Sequence, residues 1–80
     1  MVNNLVIGVT LLNVVPGQEK AVYTQLLNIK GIKEVYHVFG EFDFVVISEV
    51  DGLSALNKLV DTIRESENVT STHTIVGAEL

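Results

Sequence analysis

Two carboxylates, Glu41 and Asp43, stand among three phenylalanines in the stretch FGEFDFVV, residues 39–46. A simple hairpin turn would be satisfied by Asn-Gly, so this composition raises the question of a ligand. The structural alternative is that Asp43 caps the tight turn with its side chain and that Gly40 only supplies a positive φ. Phe39, Phe42 and Phe44 read as core and interface packing. His37 and His73 invite metal binding or acid–base work, for which histidine is the usual residue. No carboxylate stands at ligand spacing from either, so both read as half-exposed strand residues. A nucleophile–base pair, a glycine-rich phosphate loop and metal-ligand spacing are all missing from the chain. The expectation is a binding protein, not an enzyme, with no catalytic residue, no metal and no cofactor.

The composition narrows the setting of these residues. Eighty residues make one domain, 1–80, and a chain this short buries only about 60–65% of its unfolded surface. Yet 48% of the residues are hydrophobic and the mean hydropathy is +0.40. No apolar run approaches the ~20 residues of a membrane span; the longest, LVIGVTLLNVV at 5–15, is interrupted by Gly8, Thr10 and Asn13. That leaves self-association as the outlet for the excess. The formal net charge is −5 and the five basic residues are scattered, which argues against nucleic acid and anionic membranes as partners. Cysteine is absent, which rules out disulfides and thiolate chemistry and suggests a cytoplasmic location.

The elements that must position the candidates follow from periodicity. Residues 4–15 read as a strand that Val15-Pro16-Gly17 breaks. Residues 17–29 have helical spacing, with Val22, Leu26 and Ile29 on one stripe and Gly31 as the terminator. Ile32 to Phe39 alternates, Val35, His37 and Phe39 against Glu34, Tyr36 and Val38. Residues 43–50 form a third strand, and Asp51 is placed to cap a second helix carrying Leu53, Leu56, Leu59, Val60 and Ile63. Asn68 is expected to end that helix in the left-handed conformation. Residues 69–77 alternate Val69, Ser71, His73 and Ile75 against Thr70, Thr72, Thr74 and Val76. The order is β-α-β-β-α-β, an α+β, ferredoxin-like fold with a four-stranded antiparallel sheet in the order 4-1-3-2. The two polar strands fall at the edges, where edges need them.

Right-handed crossovers put both helices on one side of this sheet. The other side has no cover, and strands one and three are apolar on both faces. Four strands of about six residues span roughly 19 by 20 Å. An apolar patch of about 400 Å² is near the largest that monomers expose. The expectation is a homodimer with sheets packed face to face, of the dimeric α+β barrel type.

The order of motifs resembles the effector-binding (RAM) domain of the Lrp/AsnC family. The carriers are Pro16-Gly17 opening the first helix, the stretch L-x-x-I-K-G-I-x-E-V from Leu26 to Val35, Gly40-Glu41-Phe42-Asp43 in the hairpin, and Val69-x-x-Thr72-x-Thr74 on the last strand. The likeness covers nearly all of the chain. Family members usually carry a helix-turn-helix domain ahead of this one. Here the first strand begins within a few residues of Met1, so a stand-alone form without direct transcriptional activity is expected. The resemblance implies sheet-paired dimers assembled further, often into an octameric ring of four, with amino-acid effectors bound between dimers near the hairpin. Carried over by position, Gly40 lets the backbone approach a ligand, Phe42 is an apolar wall, and Asp43 accepts charge-assisted bonds from an α-ammonium group. Thr72 and Thr74 offer hydroxyls, and Glu41 either selects a basic effector or points to water. Two alternatives stay open: a small monooxygenase or isomerase on the same dimeric architecture, and a ligand-free partner that joins full-length Lrp-like regulators into mixed oligomers. The ACT domain ranks lower, because Pro16-Gly17 occupies the turn where its ligand glycine would sit.

Overall fold

The computed structural model describes residues 5–78. Its elements are β1 (Leu5–Val14), α1 (Glu19–Leu27), β2 (Ile32–His37), β3 (Phe44–Asp51), α2 (Leu53–Arg64) and β4 (Val69–Ala78). All strand pairs are antiparallel and the sheet order is β2-β3-β1-β4. The ferredoxin-like expectation therefore holds, with the apolar strands central and the polar strands at the edges.

The side chains of the central strands sort by parity, as a two-residue period requires. Thr10, Leu12 and Val14 on β1 and Phe44, Val46 and Ser48 on β3 are buried. They join Val22 and Leu26 of α1 and Leu59 and Ile63 of α2 in the core, so both helices cover one face. The alternate residues of the same strands, Ile7, Val9, Leu11, Val45 and Ile47, are only partly buried or exposed. The second face is as apolar as expected, and no element of the chain lies over it among the described residues.

Several local expectations give way to tertiary geometry. Pro16-Gly17 opens no helix. The Gln18 N–H donates to the Val15 carbonyl at 3.0 Å and Gly17 has φ +90°, so proline and glycine take the second and third places of a type II turn. Helix α1 starts only at Glu19. Gly31 lies beyond the helix C-cap, Asn28; its φ of +100° and the side chains of Leu59 and Val50, each 2.9 Å from where a Cβ would sit, are what exclude other residues. Asp51 does not cap α2: the N-cap is Gly52, with no side-chain hydrogen bond. Asn68 does not adopt the left-handed conformation, because every positive φ among the described residues belongs to glycine. Helix α2 stops earlier, at Arg64.

Two register shifts also override simple alternation. Between Asn13 and Val14 the partner changes from Ser71 to Val69, which leaves Thr70 as an extra residue. A bulge of this kind turns Val69 toward the core, on the opposite face from Ser71. A second shift leaves Lys33 unpaired, so that Ile32 and Val35 both pack inward.

Candidate functional site

The hairpin between β2 and β3 is held by its last residue. The Val38 N–H donates to the Asp43 carbonyl at 2.8 Å, and the Asp43 N–H donates to the Leu12 carbonyl at 3.0 Å. The Asp43 side chain adds a third tie: Oδ2 accepts from the Val14 N–H at 2.9 Å. Val14 is the residue where β1 changes register, and the carboxylate satisfies its N–H there. Asp43 is thus a structural bridge to β1. Its Oδ1 has no hydrogen-bond partner among the described residues, and the side chain is half-buried.

The tip of the hairpin is open. Gly40 has φ +136° and nothing lies within 4 Å of where a Cβ would be. The backbone angle, not crowding inside the chain, makes glycine necessary. Glu41 is exposed and Phe42 half-buried. Phe39 departs from the packing expectation. It lies past the end of β2 and is 91% exposed, whereas Phe44 is buried in the core.

Thr72 and Thr74 are set apart from this tip. In register, Phe44 pairs with Leu12 and Leu12 with Thr72, so β1 lies between the hairpin strand and β4. Two strand spacings make about 10 Å. Both threonines point to the helix side, and both hydroxyls are engaged. Thr72 Oγ1 accepts from Arg64 Nε at 3.0 Å, and Thr74 Oγ1 shares a hydrogen bond with the buried Thr10 hydroxyl at 3.1 Å. The structure brings Gly40, Glu41, Phe42 and Asp43 together, and separately Thr72 and Thr74. It does not unite the two sets within one chain.

The histidines are further apart than edge positions alone imply. His37 stays on the helix side of β2, stacked on Phe44 at 4.9 Å and tilted against Phe39 at 5.0 Å. His73 lies on the uncovered face of β4, level with Leu11. They occupy opposite edges and opposite faces. Among the described residues, no three His, Cys, Asp or Glu side chains are grouped to hold a metal.

Two features escaped the sequence reading. A shallow cleft of about 500 Å³ opens between α1 and β2, bordered by Glu19, Lys20, Tyr23, Val35, His37 and Phe44. On the uncovered face, the Tyr36 hydroxyl donates to Glu34 Oε2. That hydrogen bond, then desolvation, then the negative charge of Glu34 raise the Tyr36 phenol above its ordinary value. The signal was present, since Glu34 and Tyr36 are two apart on one strand and must share a face.

A two-helix, four-stranded antiparallel βαββαβ unit with one bare sheet face is a ferredoxin-like fold. The model of the Lrp/AsnC ligand binding domain matches residues 5–78, and the chain belongs to that family. It is 29% identical over 52 residues to the HTH-type transcriptional regulator LysM of Sulfurisphaera tokodaii, covering 65% of this chain and 37% of the regulator. The chain thus spans little more than a third of that curated relative. Among solved structures it is similar to a hypothetical protein of Pyrococcus horikoshii, with 30% identity, a TM-score of 0.86, and 94% and 92% of the two chains covered. It is likewise similar to FFRP-DM1, with 31% identity, a TM-score of 0.86, and 91% and 99% covered. No helix among the described residues is long and apolar enough to cross a membrane.

Proposed function

We propose that this chain is an amino-acid-sensing module that works as an assembly. Copies pair through the bare sheet face and associate further into a ring. The effector binds where the Gly40–Asp43 hairpin of one copy meets Thr72 and Thr74 of another. One observation carries this reading. Asp43 spends Oδ2 on Val14, which fixes the carboxylate and leaves Oδ1 for a guest at the hairpin that Gly40 and Phe42 belong to. An α-ammonium group is the natural partner for such an oxygen. The separation of the two residue sets within one chain fits a site built from two copies. A Neisseria meningitidis transcriptional regulator solved as a complex with L-methionine has this fold, at a TM-score of 0.81 and 10% identity. Here the likeness supports only the fold; the effector class is our reading. It is a binding function, without chemistry of its own.

The test is a thermal-shift screen against the twenty amino acids. A ligand present at about 100 times its dissociation constant stabilises by about 2.7 kcal/mol. Asp43→Asn keeps an acceptor for the Val14 N–H and removes the charge. The expected result is a shift from at least one amino acid that Asp43→Asn loses and His37→Gln keeps. A flat response to all twenty sinks the reading.

A further inference from the structure

The uncovered face is ordered in rows that run across the sheet. Tyr36 pairs with Val45, Val45 with Leu11, and Leu11 with His73. One step along, Glu34 pairs with Ile47, Ile47 with Val9, and Val9 with Ile75. Each row is apolar in the middle. The polar groups stand at opposite ends: Glu34 and Tyr36 on β2, His73 on β4. All three are exposed in the single chain.

With the strands of the two sheets aligned, two isologous ways exist to stack this face on its copy. With the two-fold axis across the strands, β2 lies over β2 and the Glu34 edges of the two copies meet. Like charges brought together in this way are unfavourable. With the axis parallel to the strands, each row is reversed onto itself, and β2 lies over β4 of the second copy. Packed sheets lie about 10 Å apart, a gap that an imidazole from one side and a phenol or carboxylate from the other can close between them.

We infer that the second copy docks with its axis parallel to the strands, and that His73 of each copy meets the Tyr36–Glu34 pair of the other in a proton-linked contact. The inference rests on the sheet pairing proposed above and adds its orientation and its control. The Tyr36 hydroxyl is committed to Glu34 Oε2, which leaves Oε1 to accept from a ring N–H. The other ionisable groups on the partner face among the described residues are Glu49 and Asp51, by their parity on β3, and Lys33, which approaches Glu49 at 4.0 Å. β1 presents only uncharged side chains to this face, Leu5, Ile7, Val9, Leu11 and Asn13, and β4 carries no other ionisable side chain among the described residues. An imidazole is the side chain whose charge changes between pH 5 and 8. A carboxylate neighbour gained on assembly favours its charged form. Assembly therefore takes up protons. The contact contributes fully where the free imidazole is already charged, and it is lost as pH rises through the value in the assembled state.

The experiment is sedimentation equilibrium of the whole chain at about pH 5.8 and about pH 8. Repulsion between two acidic chains also eases as pH falls, so the readout is the part of the change that His73 controls. The dimer dissociation constant should be lower at the acid pH, and His73→Gln and Glu34→Gln should each remove about tenfold of that difference, or about 1.4 kcal/mol for the two symmetric contacts. A dimer whose pH response survives both substitutions overturns the inference and leaves the sheet pairing intact. A lone chain at both pH values overturns the two together. Orientation is read separately, because the chain has no cysteine. A short bis-maleimide should join two copies of the Tyr36→Cys, His73→Cys double variant and neither single variant. A covalent dimer of Tyr36→Cys alone places the axis across the strands and refutes the docking.

Discussion

The two faces of the sheet are built from the same strands and meet different fates. On the helix side, Leu12, Val14, Phe44 and Val46 are sealed beneath α1 and α2. One residue along, Val9, Leu11, Val45 and Ile47 are just as apolar, and nothing among the described residues lies above them. The first set determines whether the chain folds. The second set supplies a surface that repays burial only when another molecule arrives. At about 25 cal/mol per Å² of apolar surface removed from water, covering this face favours pairing.

Substitutions on each face should therefore separate folding from assembly. The largest effect is expected from Phe44→Ala, which empties the fully buried ring at the centre of the helix-side core. A loss of about 3–5 kcal/mol should leave this small domain largely unfolded in a thermal or urea melt. On the other face, Leu11→Glu puts a carboxylate into the centre of the proposed interface. Far-ultraviolet circular dichroism should be retained while the dissociation constant rises about a hundredfold or more, the cost of desolvating an unpaired charge. Equal unfolding by both variants would erase the distinction between the faces. Gly8→Ala sharpens it from within. The added Cβ would lie 2.6 Å from Leu56 Cδ1 and 2.8 Å from Ser48 Oγ, so about 1–3 kcal/mol of overpacking strain is expected in chemical denaturation. The smallest effect belongs to Gly40→Ala. Its cost comes from φ +136° in otherwise open space, about 1 kcal/mol, and it should show as a Tm decrease of a few degrees.

The sequence made the fold legible because alternation and helical spacing are local signals. The doubled apolarity of residues 5–12 and 44–47 marked both central strands and the bare face. The caps were misread because capping depends on where the chain goes next. Asp51 has the right type and position, yet Gly52 takes the N-cap role. Val69 was assigned to the wrong face, since the bulge that turns it is a property of the β1–β4 pairing and leaves no mark in a single strand. The hairpin was legible as a cluster of four neighbours. The bond that fixes it was not, because Val14 is 29 residues away and its N–H is freed only by the register shift. Thr72 and Thr74 are recognisable as strand threonines; their engagement by Arg64 and Thr10 depends on tertiary placement that a single strand does not reveal.

The triple tie of Asp43 to Val38, Leu12 and Val14 has a kinetic corollary. A loop stitched at its base to a central strand is no flap that lifts to admit a guest and shuts behind it. The Val14 amide should exchange with deuterium at the pace of the sheet interior, not of a surface turn. A guest at the proposed site would meet a hairpin anchored at its base, and retuning selectivity would fall to residues 41 and 42.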